Sequence, residues 1–322
     1  MSGKAKEFHA GFVALAGRPN VGKSTLLNRL LGQKLAICTP RPQTTRNRIL
    51  GVKNFKNAQM VLLDTPGLHR PKGRGRSRLN EFMMGETEKA IHDVDAVVAI
   101  VEAPHEGEAL DALKKGRFKL EASDRYVVEE VVRTKKPAML VVNKVDLLPD
   151  KRLLLPLLEV FVKAHAWTAV VPISAKTGDN FDRLTEEVTK LLPEGEAIYP
   201  KEMFTDRAER WLGAEFIREQ VFILTKQEIP YSTAVSIDTW TERKKTGNKA
   251  ADVVIEATIH IEKEAQKKII VGQAGRMIRE IGTRARQEIS LLLDCPVHLK
   301  LFVRVDADWS DRPGKLKELG YA

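Results

Sequence analysis

The feature that most constrains the fold of this chain is the segment GRPNVGKS, which runs from Gly17 to Ser24. It matches the phosphate-loop pattern GxxxxGK[ST], and it lies between a predicted strand and a helical pattern. In such a loop the backbone N–H groups turn towards phosphate oxygens, and the following helix directs its positive end at the same oxygens. The lysine bridges the outer phosphates and the serine hydroxyl binds Mg²⁺. The predicted phosphate-binding residues are Gly17, Arg18, Pro19, Asn20, Val21, Gly22, Lys23, Ser24 and Thr25.

Short apolar runs alternate with helical patterns through the front part of the chain. Near-continuous apolar runs predict buried strands at 12–16, 60–63, 96–101, 138–142 and 169–173. Helical spacing is found at 23–31, 79–92, 127–133, 153–165 and 181–192. This alternation predicts an α/β domain with a mostly parallel sheet and helices on both faces. The polar residues at 53–57 predict a hairpin into the strand at 60–63, so one edge of the sheet is expected to be antiparallel.

A second motif follows the strand predicted at 60–63. It consists of Asp64, Thr65, Pro66 and Gly67. A carboxylate at the end of a strand can hold Mg²⁺ through water, and the N–H of the glycine can contact the γ-phosphate. By itself the pattern DxxG is common in turns, so its weight comes from its position after a strand.

A third motif, at the end of the strand predicted at 138–142, indicates which base binds. Asn143 and Lys144 precede Asp146, whose two oxygens suit the N1–H and exocyclic amine of guanine. Adenine offers no such pair of donors, which argues against a P-loop kinase or ATPase. The aliphatic part of Lys144 can lie flat on the ring. After the strand at 169–173, a backbone N–H of the next motif can meet guanine O6, and that motif is Ser174, Ala175 and Lys176.

The back part of the chain has a different pattern. Residues 207–225 have helical spacing, and residues 233–241 and 253–261 alternate as half-buried strands do. A helical region, a GxxG turn, a helix at 283–293 and a strand at 298–305 complete the order. This α+β order resembles a KH domain of the second topological type.

The GxxG turn is the predicted nucleic-acid contact of the back part. In a KH domain this loop clamps about four single-stranded nucleotides through their backbone. Residues 267–286 contain six basic residues and one acidic residue, Glu280. These residues do not by themselves distinguish RNA from DNA. The predicted contacts are Lys267, Lys268, Gly272, Gln273, Ala274, Gly275, Arg276 and Arg279.

Charge, cysteine content and linker composition bound the protein class. Among 322 residues, 53 are Lys or Arg and 43 are Asp or Glu, a net charge of +10 that favours phosphate-rich partners. Cys38 and Cys295 fit no metal-ligand spacing, so a reducing cytosol is expected. No apolar run approaches the roughly 20 residues that span a bilayer. The Pro/Gly/Glu-rich stretch at 193–200 predicts a linker, which gives domains at 1–198 and 199–322.

The front part resembles the Ras-like GTPases of the translation-factor class. In such proteins a threonine closes on Mg²⁺ and the γ-phosphate, and the resemblance favours Thr45 over Thr44 for this role. Leu68 stands where Ras-type proteins have a water-orienting glutamine. The subgroup with an apolar residue there commonly holds K⁺ near a phosphate-loop asparagine, a role that falls to Asn20. The expected catalytic residues are Lys23, Thr45, Asp64 and Gly67, and the expected metal ligands are Ser24, Thr45 and Asp64.

The whole chain, from about residue 8 to 321, resembles the Era family of bacterial ribosome-assembly GTPases. The stretches that carry the resemblance are GRPNVGKSTLLNRLLGQ, PQTTR, DTPG, NKVD, DRAER, EIPYS and LKELGY. The resemblance implies a monomeric GTP/GDP switch that binds the 3′ end of small-subunit ribosomal RNA through its KH domain and assists 30S maturation. It also implies a cytoplasmic location with some peripheral association with the inner membrane, and Mg²⁺ as cofactor.

Two points stay open at the level of the sequence. The KH domain can instead be a constitutive RNA-binding module, with GTP as a slowly hydrolysed structural ligand. The segment at 104–126 is longer than one crossover helix with short loops requires. It resembles a surface insertion and has no assigned role.

Overall fold

The computed structural model describes residues 8–39, 41–69, 77–225, 228–244 and 251–321. The chain divides into two compact units. The first comprises residues 1–36, 45–73 and 83–206, and the second comprises residues 37–44, 74–82 and 207–322.

The strands of the first unit form one sheet. Within the described residues they are β1 (His9–Gly17), β2 (Ile49–Asn54), β3 (Ala58–Asp64), β4 (Ala96–Glu102), β5 (Ala138–Asn143) and β6 (Val170–Pro172). Their order in the sheet is β2-β3-β1-β4-β5-β6. The pairing of β2 with β3 is antiparallel, and the other pairs are parallel. The mostly parallel sheet with one antiparallel edge is thereby confirmed.

The helices of the front part are α1 (Lys23–Leu31), α2 (Arg78–His92), α3 (Gly107–Lys114), α4 (Ala122–Thr134), α5 (Leu154–Ala164) and α6 (Phe181–Lys190). The sequence pattern did not predict α3, which buries only Leu110 and Leu113 and so has too few apolar positions for a clear period. Together α3 and the start of α4 account for most of the segment at 104–126. None of the described helices is long and apolar enough to cross a membrane.

The second unit has the element order of a KH domain of the second type. Its elements are α7 (Glu209–Leu224), β7 (Ala234–Arg243), β8 (Asp252–Ile261), α8 (Glu264–Val271), α9 (Arg276–Leu293), β9 (Val297–Val305) and α10 (Pro313–Glu318). Among the described residues the sheet order is β7-β8-β9, with β7 antiparallel and β9 parallel to β8. The predicted order of helices and strands is confirmed.

The helix predicted at 283–293 is wrong in its start. The structure has one helix, α9, from Arg276 onwards. No proline interrupts this stretch, and Gly282 lies inside the helix although glycine has a low helix propensity. A Cβ at Gly282 would be in ordinary contact with Leu301 Cδ1 of β9, at 3.4 Å.

Three segments belong to a unit that their place in the chain does not suggest, and one of them, described at residues 77–82, is part of the second unit. Residues 37–44 belong to the second unit, where Ile37 is part of the apolar core and the Cys38 N–H donates to Glu219 Oε1 at 2.9 Å. Residues 199–206 belong to the first unit, where the Val52 N–H donates to the Phe204 carbonyl at 2.9 Å. The boundary between the compact units that follows α6 therefore falls at 206/207.

Candidate functional site

The candidate nucleotide site lies where the parallel strands of the first unit end. β1 leads into the phosphate loop, β3 ends at Asp64, and β5 ends at Asn143. Strand register brings these ends together, since Leu15 pairs with Asp64 in the neighbouring strand. Ligands of open α/β sheets bind at this edge, because the carboxyl ends of parallel strands and the loops that follow them share it.

The ammonium group of Lys23 is buried inside the phosphate loop. Its Nζ donates to the Gly17 carbonyl at 3.1 Å and to the Arg18 carbonyl at 3.0 Å. Burial lowers the pKa of Lys23 to about 8; nearby Asp64 acts in the opposite direction, and Arg18 lowers the pKa further. A phosphate beside Nζ would favour the charged form, so the loop holds a cation that an anionic ligand stabilises.

Three oxygen-bearing side chains meet at the start of α1. Ser24 Oγ donates to Asp64 Oδ2 at 2.7 Å, and Thr45 Oγ1 donates to the same oxygen at 3.1 Å. The two hydroxyl oxygens lie 2.9 Å apart. The predicted metal ligands are thus brought together, although they come from three separate places in the sequence.

The chemistry of this triad fits Mg²⁺. Asp64 is fully buried, and its Oδ1 has no hydrogen-bond partner among the residues that the structure describes. Burial raises the pKa of Asp64, against the opposing effect of Lys23. A divalent cation would favour the ionised carboxylate and would use the unpaired oxygen, directly or through water. Hydroxyl and carboxylate oxygens are the hard ligands that Mg²⁺ prefers.

Thr44 and Thr45 have different environments. Thr45 is buried and bonded to Asp64, as described above. The Thr44 hydroxyl donates to the Arg41 carbonyl at 2.7 Å and lies 2.7 Å from Thr39 Oγ1. Of the two threonines considered from the sequence, Thr45 joins the triad through its hydroxyl, whereas the Thr44 hydroxyl bonds within its own loop.

Gly67 lies against the phosphate loop. A Cβ at this position would lie 2.5 Å from the Pro19 nitrogen, so a larger residue would push the two loops apart. The next residue, Leu68, donates its N–H to the Gly17 carbonyl at 2.9 Å. Thr65 and Pro66 hold the motif in place. Thr65 Oγ1 donates to the Leu15 carbonyl at 2.9 Å, and the Pro66 carbonyl accepts a hydrogen bond from Thr87 of α2. Leu68 supplies no acid or base.

Asn143 connects the phosphate loop to the last motif. Its Nδ2 donates to the Val21 carbonyl at 2.7 Å, and its Oδ1 accepts from the Ala175 N–H at 2.9 Å. Asn143 is buried, whereas Asp146 of the same motif is exposed and so open to a base. Arg29 of α1 donates to the Ala175 and Lys176 carbonyls, which fixes the loop after β6. The sequence analysis did not single out Arg29, because only tertiary folding brings it to this loop.

The GxxG turn of the second unit joins α8 to α9. Gly272 has φ of 71°, and a Cβ there would lie 2.7 Å from Met277 Cβ, so this position requires glycine. Ala274 also has a positive φ of 50°. Gln273 and Ala274 are exposed at the tip, and Lys268 and Arg276 are exposed beside it. The turn therefore presents backbone and positive charge to solvent, as the sequence predicts.

A groove of about 620 Å³ runs between α9 and β9. The predicted residues Gly275 and Arg279 line it, whereas Lys267, Lys268 and Arg276 do not. The sequence did not identify most of the residues that line the groove. The helical spacing of 275, 279, 282 and 286 could have indicated that these residues share one face of α9. The remaining lining residues are Ile278, Gly282, Thr283, Arg286, Val297, His298, Leu299, Lys300 and Leu301.

Comparisons with known proteins agree with both units. A family model described as 50S ribosome-binding GTPase matches residues 12–144. A KH domain model matches residues 228–310. The fold and the site together define a P-loop GTPase followed by a KH domain.

Similarity extends over nearly the full chain. A GTPase Era of Geobacter sp. (strain M21) is 44% identical over 98% of this chain and 99% of its own. A crystal structure of an Aquifex aeolicus Era variant bound to GDP·AlF4⁻ superposes with a TM-score of 0.88 at 38% identity, covering 98% of this chain and 100% of that one. An Era complex with MgGDPNP and nucleotides 1506–1542 of 16S ribosomal RNA gives the same TM-score and identity over 98% and 99%. The chain belongs to the Era GTPase family.

Proposed function

We propose that this GTPase binds the 3′ region of 16S ribosomal RNA through its KH domain, under control of the bound guanine nucleotide, and assists maturation of the 30S subunit. The observation that carries this proposal is the likeness to the Era complex that holds MgGDPNP and nucleotides 1506–1542 of 16S ribosomal RNA. Both ligands of that complex have a candidate site in this chain. We further propose that the protein is a cytoplasmic monomer with some peripheral association with the inner membrane. Its proposed functional domains are residues 1–198 and 199–322.

Each residue of the nucleotide site has a proposed role. Lys23 and the phosphate-loop N–H groups hold the phosphates, and the Gly67 N–H contacts the γ-phosphate. Ser24, Thr45 and Asp64 would hold Mg²⁺, which would neutralise charge on the phosphates. Guanine is recognised by the second half of the site, through Asn143, Lys144, Asp146, Ser174, Ala175 and Lys176. The unpaired Oδ1 of Asp64 and the exposed carboxylate of Asp146 support these assignments.

The negative charge that develops during GTP hydrolysis must be stabilised by a group other than the side chain at position 68. Leu68 can neither orient water nor donate a proton. Asn20 is an exposed phosphate-loop residue with φ of 66°. We propose that K⁺ binds beside it and that this charge acts where other GTPases use an arginine.

The RNA strand passes over the GxxG turn and into the groove between α9 and β9. The two glycines let the sugar–phosphate chain approach the backbone, as in other KH domains. Arg279 and Arg286 on α9 and Lys300 on β9 supply positive charge along the groove. Arg284 is less available, because it forms a 2.6 Å ion pair with Glu280.

A switch is favoured over a constitutive RNA-binding module by the place of residues 37–44. This segment belongs to the compact unit of the KH domain, and the next residue, Thr45, bonds to Asp64 in the nucleotide site. Thr45 is proposed to contact the γ-phosphate. Loss of the γ-phosphate on hydrolysis would therefore remove a contact next to the end of the segment at 37–44, which α7 holds.

RNA binding by variants of the GxxG turn tests the proposal. The double variant Gln273→Asp/Ala274→Asp places negative charge where phosphates must pass and leaves both glycines intact. The matched control, Gln287→Asp/Leu291→Asp, adds the same charge at exposed positions of α9 that do not line the groove. Binding of a labelled 16S 3′-end oligonucleotide is measured by fluorescence anisotropy.

We expect the turn variant to bind the oligonucleotide about 10-fold more weakly, and the control to remain within about 2-fold of the parent. The parent is also expected to prefer this oligonucleotide to one of the same length and permuted sequence. Equal binding by the turn variant and the parent would place the RNA site elsewhere. Basal GTP hydrolysis by the turn variant should be unchanged, because the nucleotide site lies in the other compact unit.

A further inference from the structure

Two carboxylates in the first unit contact basic residues of the nucleotide site. Asp124 of α4 lies 3.0 Å from Arg18 Nε, measured from its Oδ1. Glu102, the last residue of β4, lies 3.4 Å from Arg18 Nη2. The same Glu102 oxygen, Oε2, is 3.0 Å from Lys144 Nζ. A single carboxylate thus joins the phosphate loop to the base-recognition motif.

The two carboxylates are largely shielded from solvent, whereas their basic partners are partly exposed, Arg18 at 27% and Lys144 at 29%. The side chain of Asp124 is 4% exposed and that of Glu102 is 10% exposed. Burial raises the pKa of Asp124, and the positive charge of Arg18 opposes that rise. His105 Nδ1 lies 3.3 Å from the other oxygen of Glu102. Because the carboxylates are nearly buried, each depends on its basic partner for charge compensation.

The conformations of Arg18 and Lys144 bear on how the site holds the nucleotide. The Arg18 carbonyl accepts a hydrogen bond from Lys23 Nζ, so the position of Arg18 affects the phosphate-binding ammonium. Lys144 has φ of 63°, a conformation that non-glycine residues adopt only with support. Its ammonium is fixed by Glu102, which orients the aliphatic part that is proposed to cover the base.

We propose that Glu102 and Asp124 are positioning residues of the nucleotide site, and that the segment at 104–126 exists in part to supply Asp124. This inference rests on the proposed placement of GTP and deepens it. Glu102 orients Lys144 over the guanine ring and, with Asp124, fixes Arg18 in the phosphate loop. Their removal loosens both ends of the site at once.

Charge repulsion alone predicts that neutralising the two carboxylates strengthens nucleotide binding, whereas positioning predicts that it weakens binding. Two negative charges near a phosphate site repel the nucleotide, so their neutralisation would tighten binding, more for GTP than for GDP. Positioning predicts weaker binding by a similar factor for both nucleotides, because the base and the first phosphates are common to them. The sign and the GTP/GDP ratio therefore separate the two explanations.

The test uses the full chain with Glu102→Gln and Asp124→Asn. Exposed carboxylates of α3 give matched controls, Glu108→Gln and Asp111→Asn. Affinities and dissociation rates of fluorescent GDP and of a non-hydrolysable GTP analogue are measured with Mg²⁺ present. We expect both nucleotides to dissociate about 5- to 20-fold faster from the two variants, with the controls within about 2-fold of the parent.

A double-mutant cycle isolates the route through Lys144. If Glu102 acts by orienting Lys144, Glu102→Gln should have a smaller effect in a Lys144→Met background. An effect of the same size in both backgrounds would overturn the positioning of Lys144 by Glu102. Unchanged dissociation rates in both variants, or tighter binding of GTP, would overturn the inference as a whole. If Asp124→Asn fails to fold, the result for Glu102→Gln decides the test. Glu102 is the last residue of β4, where the substitution is expected to leave the fold intact. Failure of the parent itself to bind guanine nucleotides would instead contradict the proposed function.

Discussion

The guanidinium of Arg218 donates a 2.6 Å hydrogen bond to the carbonyl of Thr44. Arg218 is fully buried in the second unit, where Glu215 accepts from its Nε at 2.7 Å. The residue before the predicted metal ligand Thr45 is thus bound to the first helix of the KH domain. The segment that ends at Thr44 is anchored at its other end by Ile37, in the apolar core of the same unit.

Breaking this buried ion pair should destabilise the second unit. Arg218→Met leaves Glu215 buried without its partner, and we expect a loss of about 3–5 kcal/mol in the free energy of local unfolding. Native-state hydrogen exchange of the α7 amides measures this loss in the full chain. The double variant Glu215→Met/Arg218→Met removes both charges and should cost clearly less. A single variant that costs under about 1 kcal/mol, or a double variant that costs more, would contradict this account.

Asp146→Asn should change the preferred base. An amide in place of the carboxylate cannot accept both guanine donors, but it can donate to the C2 oxygen of xanthine. We expect affinity for GTP to fall at least about 100-fold and affinity for xanthosine triphosphate to rise. The control Asp182→Asn changes an exposed carboxylate on α6 and should bind GTP as the parent does. Unchanged GTP binding by Asp146→Asn would remove this residue from the site.

Thr45→Ala should weaken the metal-dependent part of GTP binding, whereas Thr44→Ala should not. Thr45 Oγ1 bonds to Asp64, while Thr44 Oγ1 bonds within its own loop. We expect Thr45→Ala to lower the affinity for a GTP analogue about 10-fold in Mg²⁺ and to have little effect in EDTA. Affinities are measured by titration at several Mg²⁺ concentrations. A larger effect of Thr44→Ala would reverse the assignment.

GTP hydrolysis should be faster in K⁺ than in Na⁺ at equal ionic strength, by about 5-fold or more if the bound cation supplies a charge contact in the transition state. Asn20→Gly removes the amide and tolerates the positive φ of this position. We expect this variant to hydrolyse GTP at similar rates in both salts while it still binds GTP. If the parent shows equal rates in K⁺ and Na⁺, the potassium site is wrong and the nucleotide assignment is unaffected.

The nucleotide site was largely predictable from the sequence because its parts are local. The phosphate loop, the motif at Asp64 and the motif at Asn143 each occupy a few consecutive residues after an apolar run. Parallel strands then bring these ends to one edge of the sheet without further information. The contacts of Lys23, Ser24 and Asp64 are the local consequence of that arrangement.

The parts that sequence did not predict depend on packing between distant segments. Arg29 and Lys300 have no motif of their own and reach their places only through the packing of α1 on the loop after β6 and of α9 on β9. The membership of residues 37–44 in the second unit has no compositional signal either. It depends on Ile37 entering a core whose other members follow more than 150 residues later.

The dependence of RNA affinity on the bound nucleotide tests the central claim most directly. The dissociation constant for the 16S 3′-end oligonucleotide is measured for the full chain loaded with MgGDP and with a magnesium complex of a non-hydrolysable GTP analogue. The account predicts at least about 5-fold tighter binding in the GTP-analogue state, and the oligonucleotide should raise the affinity for that analogue, relative to GDP, by the same factor. Equal RNA affinities in the two nucleotide states would contradict the switch and would leave a KH domain that binds RNA constitutively.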